Sequence, residues 1–497
     1  MTDSINHAAH VPGTDHPNRW SVLVVCCVGL FLLVSALSSL NVALPAIQRD
    51  LGASTSALQW IVDAYAVVFG GLLLTGGAVG DRIGRREALA GGFALMLAGG
   101  VLGGLAGSVT SLIVARVVAG LGAALMMPAT LSVLTDVFAE QGRARAIAIW
   151  SGTAGAGGAI GPALSGWLLT VSTWPAVFWV NVLIAAVGLV GVWAVVPKLA
   201  PAASGRLDLL GTALSTLAIG TALYAIIAAP DGATEPLTVA AAMVAVGATV
   251  GFVWWQRTTP HPMLPLRVFD SPRLRAGVIT LLLAAVGFAG VLFVAALLLQ
   301  LGWRESALVT GLLLLPIGVS ELAVSAFSPS VCRRFGVGPT VVGGLLAMAA
   351  GYVAMAMTPV GDRALFVAAG LLAGIGNGLV IPPSVERVVG GAEPSLAGVT
   401  AGVNETSIEL GASLGVALLG GVQRVVFARN LPDGVPSTSV DAALADADTD
   451  VVLSAFQAGG RAGLIAAAIA ALIAVPIAFR RHPGDVDVDV SAAAEPS

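Results

Sequence analysis

Long apolar runs, each about the length that crosses a bilayer, follow one another along almost the whole chain. A spanning helix needs about 20 mostly apolar residues. Fourteen runs meet this requirement, and they fall at about 20–43, 56–79, 87–107, 110–136, 145–170, 176–196, 208–229, 236–256, 276–300, 306–328, 338–357, 364–388, 396–425 and 453–479. The pattern therefore predicts an all-α polytopic membrane protein with 14 transmembrane helices. Because this number is even, both termini are predicted on the same side.

The basic residues indicate which side faces the cytoplasm. Short cytoplasmic loops of membrane proteins carry an excess of Lys and Arg. If the N-terminus is inside, the inner loops and tails hold sixteen of the 24 basic residues, and only eight lie elsewhere. The outer loops hold Arg49, Arg304, Arg363 and Arg429, and the helices hold Arg116, Arg387, Arg424 and Arg461. We therefore predict that both termini are cytoplasmic.

An internal repeat divides the chain into two halves. The segment AGLGAALMMPATLSV (119–133) matches AGIGNGLVIPPSVER (373–387) at an offset of 254 residues. This offset exceeds one six-helix half by enough residues for two more spans. We predict, in chain order, a disordered cytoplasmic tail, an N-terminal six-helix bundle, a two-helix insert, a cytoplasmic loop, a C-terminal six-helix bundle and a second disordered cytoplasmic tail, at 1–19, 20–196, 197–257, 258–275, 276–479 and 480–497.

Composition agrees with a membrane protein and argues against an enzyme. Apolar residues make up 57% of the chain and charged residues 10%, against roughly 25% charged residues in soluble domains. The five histidines lie outside the apolar runs, so neither a metal-ligand spacing nor a Ser–His–acid group is available within them. The segment GAGGAIGP lacks the Lys-Ser/Thr of a phosphate-binding loop. We expect no cofactor, no metal site and no direct use of ATP, which leaves a proton gradient as the energy source.

Four of the acids that lie within the apolar runs are the candidates for proton handling. Asp63 lies about seven residues into the second predicted helix, roughly 10 Å below its outer end. Glu321 lies in the tenth helix, and Glu405 and Glu409 share one face of the thirteenth. A low dielectric disfavours a charged carboxylate, so an acid at such depth can exchange a proton near neutral pH. The alternative for each is a structural pair with a neighbouring polar group.

Arg116, in the segment RVVAGLGAALMMP of the fourth predicted helix, is a basic residue within the apolar runs. A buried charge needs a partner or hydration. Two interpretations remain open. Arg116 either forms a structural pair with an acid or with backbone carbonyls, or it is the partner of a carboxylate that gains and loses a proton.

A charged segment, GGAVGDRIGRREAL, joins the second and third predicted helices on the inner side. Its glycines permit a tight turn, and Asp81 is predicted at the start of the third helix, whose dipole favours an anion. The arginines can bond neighbouring helices, so the segment either latches one conformation or only sets topology. The candidate gating residues are Gly80, Asp81, Arg82, Gly84, Arg85 and Arg86.

The fifth predicted helix carries a glycine pattern with a proline. Gly157 and Gly161 form a GxxxG face that lets a neighbouring helix approach closely. Pro162 removes one backbone hydrogen bond and bends the helix, and Gly166 completes the pattern.

Two aromatic residues, Trp60 and Tyr65, flank Asp63 in the sequence. They could stack on a flat cationic substrate. They could equally anchor the helix at the membrane interface.

These motifs together resemble those of the major facilitator superfamily. The patterns G-x-x-x-D-R-x-G-R-R, R-x-x-x-G-x-G and G-x-x-x-G-P-x-x-x-G match its loop, helix-4 and "antiporter" motifs, and the segments LQWIVDAY, LNVALPAIQRDLG and NETSIELGASLGVALLGG resemble its fourteen-helix drug:proton antiporter branch. The resemblance implies the major facilitator fold, with two six-helix bundles and two inserted helices. It also implies a non-enzymatic, proton-coupled exporter that acts by alternating access, with Arg116 linked to proton coupling.

The resemblance also implies the partners and the location. We expect a small amphipathic drug or antibiotic and protons as partners, no nucleic acid, and a monomer in the cytoplasmic membrane of a bacterium. The chain departs from the family at Ala36, where an acid is usual, and at Ala119, where Gln is common. A dedicated exporter of one secondary metabolite remains an alternative, and the helix-5 motif argues against the third possibility, an importer.

Overall fold

The computed structural model describes residues 16–198, 208–391, 397–437 and 439–479, and these residues contain helices and no strand. The α-helices are α1 (Arg19–Leu51), α2 (Thr55–Ile83), α3 (Arg85–Gly104), α4 (Val109–Val137), α5 (Glu140–Val171), α6 (Pro175–Val195), α7 (Leu209–Gly232), α8 (Pro236–Thr258), α9 (Pro272–Leu297), α10 (Ala307–Phe335), α11 (Val337–Met357), α12 (Arg363–Val389), α13 (Ala397–Arg429), α14 (Val440–Asp446) and α15 (Thr449–Phe479). A 3₁₀ turn (Leu266–Asp270) precedes α9, and a π-helical turn (Leu298–Gly302) follows it.

The predicted all-α membrane architecture is confirmed. Thirteen helices within the described ranges are long and apolar enough to cross a bilayer. The helix α5 has 32 residues, but within the described residues its apolar part is only Ala156–Val171, which is shorter than a full crossing. The fourteenth crossing and the cytoplasmic side of the termini therefore stay predictions.

The first helix is longer than its apolar run predicts. Instead of ending near residue 43, α1 continues to Leu51 and passes through Pro45. Leu44 and Ile47 in this extension are fully buried, so packing outweighs the one backbone hydrogen bond that the proline removes. The helix ends at Gly52, whose φ of 62° is a left-handed conformation that glycine adopts without strain.

The long helices form two bundles, α1–α6 and α9–α13 with α15. The bundles meet where α2 packs against α13 and where α5 packs against α10. We call these two contact surfaces the bundle interface. The two bundles approach each other closely here. A Cβ added at Gly166 of α5 would lie 2.6 Å from the Ala307 carbonyl oxygen at the start of α10.

The inserted helix α7 lies beside one half of this interface. It packs against both α2 and α13, and α8 packs against α7. Thr212 of α7 and Thr75 of α2 share a hydrogen bond of 2.5 Å. Arg424 of α13 donates a hydrogen bond of 2.5 Å to the Ile227 carbonyl, near the other end of α7. The helix α7 is therefore attached to both bundles.

Asp208, the residue before α7, links the start of α7 to α8 and to the loop that follows α8. Its carboxylate accepts hydrogen bonds from Trp255 (2.7 Å) and Gln256 (2.6 Å) of α8 and from the backbone N–H groups of Gly211 (2.7 Å) and Met263 (3.3 Å). Desolvation raises the pKa of Asp208, but these hydrogen bonds to Trp255, Gly211, Gln256 and Met263 outweigh it and lower the pKa below its usual value.

Asp208→Ala should lower the free energy of unfolding by about 1–2 kcal/mol near neutral pH, because a helix cap and charge-assisted hydrogen bonds are lost. Since the folded-state pKa is lowered, this stabilisation is present above the unfolded value of about 4 and is lost as pH falls through the folded value. Thermal unfolding in detergent measures both effects, with the exposed Asp433→Ala as control. Equal midpoints for the wild type and Asp208→Ala at pH 7 would contradict this role.

Candidate functional site

Asp63 lies in α2 with no exposed surface. Neither carboxylate oxygen has a hydrogen-bond partner among the described residues. A buried charge without a partner is strongly disfavoured. The environment of Asp63 therefore disfavours the ionised form of its carboxylate.

Glu405 and Glu409 lie on α13. A Cβ at Gly70 of α2 would lie 3.4 Å from the Glu409 Cβ, so this glutamate sits where α2 and α13 meet. One Glu409 oxygen, Oε2, is buried with no hydrogen-bond partner in the described part of the chain. Glu405 accepts a hydrogen bond of 3.1 Å from Asn404. The structure thus places Glu409 against α2, the helix that carries Asp63.

Glu321 occupies a different environment in the C-terminal bundle. This α10 residue accepts a hydrogen bond of 2.8 Å from Asn377 of α12. Asn377 was not among the predicted site residues, although it is the one polar residue in the run AGIGNGLV. The described residues contain no group of three or more His, Cys, Asp or Glu that could hold a metal ion.

Arg116 is held by a carbonyl and an aromatic ring of α2. Its Nε donates a hydrogen bond of 3.1 Å to the Ile61 carbonyl, and its guanidinium carbon lies 4.5 Å from the centre of the Tyr65 ring. Within the described ranges, no carboxylate forms a salt bridge with it. Positions 61 and 65 share one face of α2, and position 63 points away from that face. The arrangement therefore matches the structural alternative, in which Arg116 bonds to a carbonyl, and Arg116 does not contact Asp63.

The two candidate stacking residues already have aromatic partners. Tyr65 is fully buried and also packs against Phe69, with ring centres 5.8 Å apart. Trp60 packs against Tyr224 of the inserted helix α7, at 6.2 Å. The sequence could not show this because helical periodicity does not identify the neighbouring helix. In this conformation, Tyr65 is not accessible to a substrate.

The turn between α2 and α3 is shorter than the sequence of the charged segment predicts. The helix α2 continues through Gly80 and Arg82 to Ile83, and the single residue Gly84, with a φ of 104°, separates it from α3. Asp81 consequently lies in the last turn of α2 and not at the start of α3, because the break comes at the second glycine. The side chain of Asp81 lies outside the described residues.

The arginines of this segment bind within the N-terminal bundle. Arg85 forms an ion pair with Asp136 of α4 and donates a hydrogen bond of 3.3 Å to the Ser132 carbonyl. Arg86 donates a hydrogen bond of 3.0 Å to the Trp193 carbonyl at the end of α6, and its guanidinium carbon lies 4.7 Å from the centre of the Trp193 ring. Arg82 is exposed. The segment thus connects the ends of α4 and α6 to α3.

The glycine pattern of α5 contacts two helices. Gly157 and Gly161 face α1, where added Cβ atoms would lie 3.1 Å from the Phe31 carbonyl oxygen and 3.2 Å from that of Ser35, respectively. Further along α5, a Cβ at Gly311 of α10 would lie 3.0 Å from the Pro162 carbonyl carbon. The GxxxG part therefore packs within the N-terminal bundle, and the proline part packs across the bundle interface.

Two glutamines that were not predicted as site residues also bond from one bundle to the other. Gln59 of α2 donates hydrogen bonds of 3.1 Å to the Val416 and Ala417 carbonyls of α13. Gln300, in the π-helical turn after α9, donates one of 2.9 Å to the Val42 carbonyl of α1. The only sequence signal was a polar residue in or beside an apolar run, which does not reveal a partner.

Comparisons with known proteins agree with this architecture. The profile described as Major Facilitator Superfamily matches residues 26–416. The structure resembles the crystal structure of a bacterial homologue of the human lysosomal transporter Spinster in an inward-facing, unoccupied conformation. The TM-score is 0.67 at 18% sequence identity, covering 94% of this chain and 97% of the other. At this identity, the likeness concerns the fold.

Two relatives match over most of their length. The chain is 32% identical to the puromycin resistance protein of Streptomyces alboniger, over 86% of each protein. It is 31% identical to the multidrug efflux pump LfrA of Mycolicibacterium smegmatis, over 94% of this chain and 98% of the relative.

The contact between Arg116 and Tyr65 generates a stability prediction. Tyr65→Phe should leave the free energy of unfolding almost unchanged, because the buried hydroxyl has no hydrogen-bond partner among the described residues and the ring is kept. Tyr65→Leu should reduce it by about 2 kcal/mol, since a desolvated cation–π contact is lost. Chemical or thermal unfolding in detergent separates the two variants. Equal losses in both would show that the ring face does not stabilise Arg116.

Proposed function

The chain belongs to the Major Facilitator Superfamily, and we propose that it exports amphipathic drugs or antibiotics in exchange for protons. The two bundles expose the interface alternately to the two sides of the membrane. A proton enters from outside and the compound leaves the cytoplasm. The transporter needs no cofactor in this proposal, because the proton gradient supplies the energy.

The observation that carries the proposal is the environment of Asp63. Its carboxylate is fully buried and has no partner among the described residues. Asp63 follows Gln59 by one turn, and the hydrogen bonds of Gln59 cross to α13, so alternating access would open this face of α2. Closing the interface favours the protonated acid, and opening it to water allows the proton to leave. The proton occupancy of Asp63 is thereby tied to the conformation of the protein.

Glu409 provides the second half of this coupling in the proposal. It meets α2 from the opposite bundle, and Glu405 lies one turn away on the same helix face. Because two negative charges so close repel one another, a bound cation or a proton is needed when the interface closes. Glu321, with its Asn377 partner, is the remaining acid that can carry a proton.

The direction of transport rests on similarity. One relative is named for resistance to puromycin and the other as a multidrug efflux pump. The helix-5 pattern of Gly157, Gly161, Pro162 and Gly166 resembles the motif of exporters. These points support export over import.

The arginines of the charged segment support a moving N-terminal bundle. Arg85 and Arg86 fasten the ends of α4 and α6 to α3. We propose that they keep these three helices together as one unit while the bundles rock, and that Gly84 lets α2 and α3 pack without a longer loop.

A dedicated exporter of one metabolite is the second candidate, because the Streptomyces relative is named for a single antibiotic. A drug-sensitive host that expresses this protein separates the candidates. Protection against many unrelated cations, neutral antibiotics and detergents supports a multidrug exporter. Protection against one compound, such as puromycin, supports the dedicated exporter.

Proton coupling is testable in everted vesicles whose interior has been acidified. Adding an accepted compound should make the interior more alkaline, because protons leave as the compound enters. Asp63→Asn and Glu409→Gln should reduce this signal to that of vesicles without the protein. A pH-sensitive dye reports the signal.

Glu386→Gln is the matched control for these variants. Glu386 also lies in a spanning helix, but its side chain is 59% exposed and pairs with Arg273 at 3.8 Å. The control should keep the full signal. Export that continues after the proton gradient has been collapsed would refute the coupling.

A further inference from the structure

The hydrogen bonds of Gln59 and Gln300 join the two bundles near the same end of the molecule. Gln59 is in the second turn of α2, and Gln300 follows the last turn of α9. Val42 lies nine residues before the end of α1. In the predicted topology, all three positions are in the outer half of the membrane. These glutamines therefore fasten the two bundles together on the outer side.

The bonds are suited to repeated opening. An amide donor carries no charge, so its release leaves no buried ion. The accepting carbonyls lie inside α1 and α13, where the helix backbone supplies each with another donor. When the bonds break, water can bind the glutamine amides, and no carbonyl is left without a partner. Breaking these hydrogen bonds therefore changes the free energy only slightly, so the two bundles can separate and rejoin.

Gln59 is also connected to the proton site by position. It precedes Asp63 by four residues and so lies one turn away on the same face of α2. Both side chains are fully buried. The hydrogen bonds from Gln59 to Val416 and Ala417 hold α13 over this face. Separation of α2 from α13 at Gln59 would open a path from the outer side to Asp63.

We propose that Gln59 and Gln300 form an outer gate. They act as positioning residues that hold the outer ends of the bundles together and keep outer water from Asp63. This inference deepens the proposed function and rests on it in one respect, that Asp63 is the proton site that the gate protects. The gate itself shifts the equilibrium between the conformations that are closed and open on the outer side.

Paired spin labels at Val171 and Val360 test the gate. Both residues are exposed, and they lie at the predicted outer ends of the N-terminal and C-terminal bundles. The labels are attached to introduced cysteines after Cys26, Cys27 and Cys332 have been replaced by serine. The distance between the labels should lengthen when the outer side opens. The protein is measured in nanodiscs without drug or gradient.

Gln300→Leu should raise the ratio of the long-distance to the short-distance population about fivefold, the effect of losing one typical net hydrogen bond. Gln59→Leu loses two hydrogen bonds and should raise this ratio at least as much. The double variant should raise it further. Gln48→Leu is the matched control, because Gln48 is also buried in the outer half but donates its hydrogen bond of 3.2 Å to Ala53 within the same bundle. The control should leave the ratio unchanged.

An unchanged ratio in both single variants and the double variant would overturn the gate. An equal shift in Gln48→Leu would also overturn it, by showing a general loss of packing. Gln59→Ala provides a second removal of the donor if Gln59→Leu does not fold. Because no drug or gradient is used, these outcomes are independent of the vesicle experiment that tests the proposed exporter.

Discussion

Burial without a partner strongly disfavours the ionised form of a carboxylate, and this constraint connects the main features of the structure. Asp63 is buried on α2, one turn from Gln59, whose side chain bonds to α13, and Glu409 of α13 lies against α2 from the other bundle. In the proposed mechanism, the protein closes over these acids only when their charges are neutralised, and it ionises them only where water reaches them. Conformation and proton occupancy would then depend on one another, which is what a proton-driven carrier requires.

The remaining architecture makes such an interface possible. Glycines at the crossings of α5 with α1 and α10 allow the backbones to approach closely, so the bundles can close with little free volume. Arg116 receives its contacts from α2 itself, on the face away from Asp63, and so stabilises the helix without neutralising the acid. The inserted helix α7 bonds to α2 near one end and to α13 near the other, so it covers one side of the contact between these two helices.

Much of this could be predicted from sequence, because a bilayer constrains helices strongly. The apolar runs located the long helices, and the buried position of Asp63 followed from its place within a run. The neighbours of each side chain did not follow. The sequence could not show that Trp60 meets Tyr224, that Arg116 stacks on Tyr65, or that Gln59 reaches α13, because these contacts depend on how separate helices pack. The continuation of α1 beyond residue 43 was missed because a proline and polar residues resemble a loop when their packing is unknown.

Proton release on substrate binding is the most direct measurement of the central claim. The purified protein is placed in detergent with very little buffer, and the pH is followed while a compound that it exports is added. If the acids exchange protons for substrate, the wild type releases protons as the compound binds. A variant with amides in place of Asp63, Glu321, Glu405 and Glu409 releases none. Binding to the wild type without proton release, or equal release from the amide variant, would contradict the account.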